Sequence, residues 1–173
     1  MIGWGMGKIE QARLGGVNFI HKQGESQDSP AVIFLHGYGA SQEDLAPLSD
    51  MIDPESKYNW YFPNGILEAS IVPGFTGRAW FPINIEEYER AIKSGSFRDF
   101  ADARPEGFDV AIDKMNFFME EIQSRHKGFA LGGFSQGAML ATELAFQAKE
   151  KPEGLVIMSG ALLDKENWAA LAK

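Results

Sequence analysis

The stretch Gly133-Phe134-Ser135-Gln136-Gly137 determines how this chain is interpreted. It lies between a short apolar run that is typical of a buried strand and a longer run that is typical of a helix. A Gly-x-Ser-x-Gly sequence in that setting predicts a sharp strand-to-helix turn, which raises the serine hydroxyl above the edge of a sheet. The two glycines are needed because a Cβ at either position would crowd the adjoining strand or helix. We therefore predict that Ser135 is an accessible nucleophile on this turn.

The sequence on both sides of this turn predicts strands that alternate with helices. Short, continuous apolar runs are typical of strands that are buried on both faces, as in a parallel sheet. Such strands are predicted at residues 31–35, 60–62, 129–133 and 155–158, with an edge strand at 17–21. Helices are predicted at 44–52, with Ser41 as a cap, and at 85–93, 109–125 and 136–149. The predicted fold class is therefore α/β, with a mostly parallel, doubly wound sheet and right-handed crossovers.

Two further stretches have no clear period. Residues 1–16 are rich in glycine and are interpreted as a loose arm or an edge strand. Residues 66–107 are interpreted as an excursion of the chain over the site. The sequence shows no internal repeat and no interdomain linker, so residues 1–173 are expected to form a single domain.

Composition narrows the classes of function. A formal net charge of −8 argues against binding to nucleic acid or to an anionic membrane through bulk electrostatics. No apolar run reaches the roughly 20 residues needed to span a bilayer, so stable membrane insertion is not expected. The chain has no cysteine, which excludes disulfides, thiol catalysis and thiolate metal ligands. Because the first residues also lack the pattern of a secretory signal, a cytoplasmic location is expected.

The stretch Leu35-His36-Gly37-Tyr38-Gly39-Ala40 follows the first buried strand and predicts a second part of the same site. Acyl transfer needs two backbone N–H groups aimed at the oxyanion, one from the residue after the nucleophile and one from this earlier loop. Glycines allow the backbone of the loop to approach a substrate closely. Gln136 and Tyr38 are therefore the predicted N–H donors of an oxyanion hole.

Four motifs occur in an order that is found in a known family. They are residues 36–40 together with 43–45, residues 77–81, residues 132–140 and residues 154–160. Over residues 17–163 the chain resembles the phospholipase/carboxylesterase family of α/β-hydrolases, which includes the acyl-protein thioesterases. Four ordered motifs are far more specific than any one of them alone.

This resemblance implies a serine hydrolase that forms an acyl-enzyme on Ser135. The implied substrate is a small carboxylic ester or thioester, and no metal and no cofactor are implied. The resemblance also implies that Gly37, Trp80 and Phe81 line the substrate site. The alternative for the two aromatic residues is packing in the core. Pro82 stands where the family commonly has an acidic residue.

The sequence departs from this resemblance after the serine. In this fold an acid and a histidine follow the nucleophile along the chain, and the resemblance places them on loops after two further strands. No histidine follows Ser135, and Asp164 comes too soon after the last predicted strand to be the acid. His21, His36 and His126 are interpreted as structural or solvated. We therefore expect a C-terminally truncated α/β-hydrolase fold that lacks the last two strands and is close to inactive.

Two other interpretations remain open at this stage. The chain could be a non-catalytic α/β-hydrolase-like protein that binds acyl ligands without turnover. It could also be a fragment with no function of its own, whose open sheet edge drives self-association. For partners, the sequence predicts an acyl substrate, no nucleic acid, and either self-association or a complementing C-terminal segment.

Overall fold

The structure, a computed structural model, describes residues 8–72, 74–84, 93, 101–102 and 104–172, apart from the side chains of residues 71, 72 and 75. Its strands are β1 Ile9–Leu14, β2 Val17–Lys22, β3 Ala31–Leu35, β4 Asn59–Pro63, β5 Leu67–Val72, β6 Phe75–Ala79, β7 Phe129–Phe134 and β8 Gly154–Met158. Its helices are α1 Gln42–Leu45, α2 Leu48–Ile52, α3 Phe108–Gln123, α4 Gln136–Gln147 and α5 Lys165–Leu171.

Six strands form one sheet in the order β1-β2-β4-β3-β7-β8. Strands β4, β3, β7 and β8 run parallel, while β1 and β2 add two antiparallel strands on one side. Strands β5 and β6 form a separate two-stranded hairpin. The mostly parallel α/β sheet confirms the fold class that the sequence predicts.

Apolar side chains cover both faces of this sheet. Along β3, Ile33 and Leu35 join the larger core cluster, which includes residues of α3 and α4, whereas Phe34 joins a smaller cluster near α1 and α2. A strand buried on both faces reads as a continuous apolar run, because successive side chains point to opposite sides. The helices therefore lie on both faces, as in a doubly wound sheet.

Helix α3 packs one face against the larger core. Its seven buried residues are Phe108, Ala111, Ile112, Met115, Phe118, Met119 and Ile122. Their spacing of three and four residues places them on one side of an α-helix. The helix predicted at residues 109–125 is confirmed, and it ends two residues earlier than predicted.

Several predicted elements need correction. The strand predicted at 17–21 is present as β2, but it is not an edge, because β1 pairs with its outer side. The helix predicted at 44–52 is split into α1 and α2 at Pro47, whose ring removes an N–H and clashes with the preceding turn. The hairpin β5–β6 and helix α5 are not predicted from the sequence. Of the helix predicted at 85–93, residues 85–92 lie outside the described residues.

The sheet brings the two predicted parts of the site together. Strands β3 and β7 are neighbours, and Leu35 pairs with Gly133 in their parallel register. Because the carboxyl ends of parallel strands meet at one edge of a sheet, the loop after β3 and the turn after β7 lie side by side.

Candidate active site

Ser135 lies on a tight turn between β7 and α4. Its backbone has φ 52° and ψ −114°, a combination that a residue with a Cβ rarely adopts. Its N–H donates to the carbonyl of Met158 at 2.8 Å, which joins the turn to the end of β8. The side chain is half-buried. The structure therefore has the strand-to-helix turn that the sequence predicts.

Two glycines make this turn possible. A Cβ on Gly133 would lie 2.4 Å from the carbonyl carbon of Gly137. A Cβ on Gly137 would lie 2.3 Å from the carbonyl oxygen of Leu35 and 2.5 Å from that of His36. Contacts this short do not occur in folded proteins, so the first turn of α4 sits against the end of β3 without room for side chains.

The loop after β3 touches the serine turn directly. A Cβ on Gly37 would lie 3.3 Å from the Cβ of Ser135. Strand β6 fixes this loop from the other side, because the Gly39 N–H donates to the Arg78 carbonyl at 2.8 Å and the Arg78 N–H donates to the Ala40 carbonyl at 2.9 Å. A Cβ on Gly77 would lie 1.9 Å from the Gly39 carbonyl oxygen, so this strand also needs a glycine for its close approach.

The N–H groups of Gln136 and Tyr38 are those predicted to bind an oxyanion. Gln136 is the first residue of α4, where a helix has no internal acceptor for the N–H. Tyr38 is half-buried in the loop after β3. Within the part of the chain that the structure describes, neither N–H donates to a protein acceptor. Gln136 also lies at the N-terminus of α4, which is the positive end of the helix dipole and attracts negative charge.

His36 orders the loop and is not free to act as a base. Its ring is completely buried, Nδ1–H donates to the Gly37 carbonyl at 2.7 Å, and Nε2 accepts from the Gly65 N–H at 2.8 Å. Burial lowers the pKa of His36 below the ordinary histidine value. A neutral ring with this tautomer uses both nitrogens, which confirms the structural role predicted for it.

The other two histidines contact Tyr61 instead of the serine turn. The His21 ring stacks on the Tyr61 ring with centroids 4.5 Å apart, and its nitrogens contact Glu10 at 3.3 Å and Asn59 at 3.2 Å. His126 accepts from the Tyr61 hydroxyl at 2.8 Å and donates to the Ser29 carbonyl at 2.8 Å.

The carboxylate of Asp164 is also engaged elsewhere, because it accepts from the Arg104 guanidinium at 3.2 Å. The chain has three histidines, all of them in the described part, and none of the three hydrogen-bonds Ser135. The described residues therefore do not complete a catalytic triad.

Trp80 and Phe81 are buried in the larger core, at 0% and 1% exposure. The Trp80 indole N–H donates to the His36 carbonyl at 2.8 Å, and the Trp80 backbone N–H donates to Oε1 of Gln136 at 2.9 Å. Nε2 of Gln136 donates to the Phe81 carbonyl at 2.8 Å. The role of Trp80 and Phe81 as substrate-lining residues stays a prediction. Sequence reasoning missed the bonds of the Gln136 side chain, because they join segments that are far apart along the chain.

Within the described residues, no group of three or more His, Asp or Glu side chains is arranged to hold a metal ion. The same residues contain no helix with the length and apolar character needed to cross a bilayer.

A parallel sheet with a serine on a strained turn at its carboxyl edge defines an α/β-hydrolase. The chain belongs to the phospholipase/carboxylesterase family, whose model matches residues 18–173.

Solved structures agree with this assignment at the level of the fold. Esterase PE8 is 24% identical with a TM-score of 0.68, and the match covers 94% of this chain and 69% of that one. The carboxylesterase from Mesorhizobium loti is 18% identical with a TM-score of 0.64, covering 90% of this chain and 67% of that one. The Bacillus cereus carboxylesterase is 18% identical with a TM-score of 0.54, covering 83% of this chain and 61% of that one. This chain therefore spans 61% to 69% of the length of these three proteins.

Proposed function

We propose that this chain carries the nucleophile and the oxyanion hole of a carboxylesterase- or thioesterase-type serine hydrolase. One observation supports the proposal above all others. Ser135 stands on a strained turn in contact with the loop of Gly37, and each of these segments offers an N–H with no acceptor among the described residues. Family membership supports the same class of reaction.

The reaction proceeds in two steps through an acyl-enzyme. Ser135 Oγ attacks the acyl carbonyl carbon while a base takes the hydroxyl proton, and the carbonyl oxygen becomes an oxyanion. The Tyr38 and Gln136 N–H groups donate to that oxygen. Loss of one such donor typically costs about 3–4 kcal/mol of transition-state stabilisation. The tetrahedral intermediate collapses and expels the alcohol or thiol, and water then releases the acyl group as a carboxylic acid.

The substrate site lies against Gly37. A side chain there would press on Ser135, so glycine leaves room for the acyl carbonyl at the hydroxyl. We propose that Trp80 and Phe81, whose side chains are buried, line this site from the core. The substrate is a small acyl ester or thioester, a class that includes lysophospholipids.

The base must come from outside the described residues, because all three histidines are bonded elsewhere. We propose that a complementing segment supplies it at the edge formed by β8. This edge adjoins the nucleophile, since the Ser135 N–H bonds the last residue of β8. Without a base, turnover falls by about a millionfold in serine hydrolases of this kind, so the chain alone is close to inactive.

External imidazole tests the proposal on the chain as it stands. The protein is incubated with p-nitrophenyl butyrate, with and without imidazole, and intact mass and peptide mapping locate any butyryl group. We expect imidazole-dependent butyrylation of Ser135 that the folded Ser135→Ala variant does not show. Equal ester hydrolysis by both proteins, with no adduct on Ser135, would contradict the hydrolase assignment.

The missing base favours a second candidate, a non-catalytic protein that binds acyl ligands. That protein would bind a butyrate ester saturably, and its Ser135 would be modified neither by the ester in the presence of imidazole nor by a fluorophosphonate. The main proposal includes a cytoplasmic location. Fractionation of the source cells tests it.

A further inference from the structure

The side chain of Gln136 is an unusual feature of the serine turn, because it is polar and completely buried. Its amide makes two hydrogen bonds, accepting from the Trp80 N–H at 2.9 Å and donating to the Phe81 carbonyl at 2.8 Å. A buried polar group that loses its partner costs about 1–3 kcal/mol. The amide therefore fastens the first residue of α4 firmly to the segment that follows β6.

Trp80 extends this connection to the loop after β3. Its indole N–H donates to the His36 carbonyl at 2.8 Å, and the centroids of the Trp80 and His36 rings lie 5.2 Å apart. The His36 ring in turn bonds Gly37 and Gly65. A continuous set of buried bonds thus runs from Gln136 through Trp80 to the loop that presents the Tyr38 N–H.

We propose that the Gln136 side chain is a positioning residue of the oxyanion hole. The inference rests on the hydrolase function proposed above. One oxyanion has to meet both the Gln136 N–H and the Tyr38 N–H, and these come from segments that are far apart in sequence. By holding Trp80, the Gln136 amide fixes the distance between the two donors before substrate binds.

The chemistry of the amide separates this role from simple packing. Methionine has a similar shape and fills the same space, but it cannot make either bond. Glutamate keeps an acceptor for the Trp80 N–H, but when ionised it cannot donate to Phe81. A packing role requires only that the space be filled, whereas a positioning role requires both bonds.

The test measures imidazole-dependent butyrylation of Ser135 in wild type, Gln136→Met and Gln136→Glu. Gln27→Met serves as the matched control, because Gln27 is exposed and precedes β3, whereas the serine turn lies at the other end of that strand. Initial rates over a range of ester concentrations separate the maximal rate from the half-saturating concentration. Hydrogen exchange of the Trp80 backbone N–H reports whether its bond has been lost.

We expect Gln136→Met to lower the maximal rate by roughly 10–100-fold, the effect of a small misplacement of catalytic donors. The half-saturating concentration should change by less than about threefold, because the donors act mainly on the transition state. The Trp80 N–H should exchange faster, and Gln27→Met should match wild type.

The possible failures are distinguishable. If wild type is butyrylated and folded Gln136→Met reacts at the same maximal rate, the positioning role is wrong and the hydrolase function stands. If wild type forms no adduct, both fail together. Should Gln136→Met not fold, Trp80→Phe replaces it, since this change keeps a ring and removes the bond to His36. Wild-type rates in a folded Trp80→Phe protein would overturn the inference.

Discussion

The backbone of Ser135 is held in a region that costs a non-glycine residue of order 1–3 kcal/mol. Such strain persists where the surroundings leave the chain no alternative. Here the surroundings are the contacts of Gly133 and Gly137, where an added Cβ would strike backbone atoms. The hydroxyl is thus presented by close backbone packing around the turn.

Gly137→Ala should disturb the site and the fold together. The new Cβ would lie 2.3 Å from the Leu35 carbonyl oxygen, so α4 must move away from β3. Overpacking of this kind costs about 1–3 kcal/mol in the free energy of unfolding, measured by urea denaturation. Gly154→Ala is the control, because its Cβ would meet Ala130 at an ordinary 3.8 Å. Equal stability of the two variants would contradict the packing described for the turn.

Stability should fall as the pH falls below the ordinary histidine pKa. Burial lowers the pKa of both His36 and His126, so the folded protein keeps these rings neutral while the unfolded chain takes up protons near pH 6.5. The stability that comes from keeping these rings neutral is fully present above about pH 6.5, and it is lost as the pH falls below that value. Urea denaturation at about pH 7.5 and about pH 5.5 measures the change, above the range in which most carboxylates titrate.

His126→Gln provides the comparison for this pH effect. This variant has one fewer histidine with a lowered pKa. Its free energy of unfolding should therefore vary less between the two pH values than that of wild type. An unfolding free energy that is independent of pH in wild type would show that neither ring is held neutral.

Strand β8 leaves one side of the sheet open in the described part of the chain. Four successive side chains on it are apolar and exposed, Leu155 at 42%, Val156 at 49%, Ile157 at 44% and Met158 at 45%. Side chains on both faces of the strand are therefore partly exposed, and its outer backbone groups can pair with another strand. Exposed, uncharged edges of this kind promote strand pairing between chains.

Val156→Lys should reduce self-association of the purified chain. A charge on an edge strand opposes pairing with a second strand, so the apparent mass in sedimentation should rise less steeply with concentration than in wild type. Val110→Lys is the control, since Val110 is 53% exposed on helix α3 and away from this edge. A wild-type chain that stays monomeric at all concentrations would contradict the expectation that β8 self-associates.

Elements with a simple period could be predicted from the sequence, and those that depend on distant contacts could not. Strand β3 is a continuous apolar run and helix α3 has buried residues every three or four positions, so the local pattern suffices. The hairpin β5–β6 was missed because its glycines break the pattern, and Gly77 is needed only where Gly39 approaches it.

The candidate site also contains residues that a local motif predicts and contacts that it does not. A motif marks Ser135, and a glycine-rich loop marks Tyr38, because each depends on a short stretch of chain. The bonds of Gln136 to Trp80 and Phe81 depend on how β6 and α4 meet in the folded protein. No local sequence pattern predicts such contacts.

At the scale of the whole molecule, the central proposal is that the sheet brings the Tyr38 and Gln136 N–H groups to the hydroxyl of Ser135. A crystal structure of the chain with butylboronic acid tests this claim most directly, because a serine-bound boronate mimics the tetrahedral intermediate. We predict a covalent bond from Ser135 Oγ to boron, with one boronate oxygen about 2.7–3.1 Å from the nitrogens of both Tyr38 and Gln136. A boronate on Ser135 whose oxygens avoid both nitrogens, or an unmodified Ser135 at saturating boronic acid, would contradict the account.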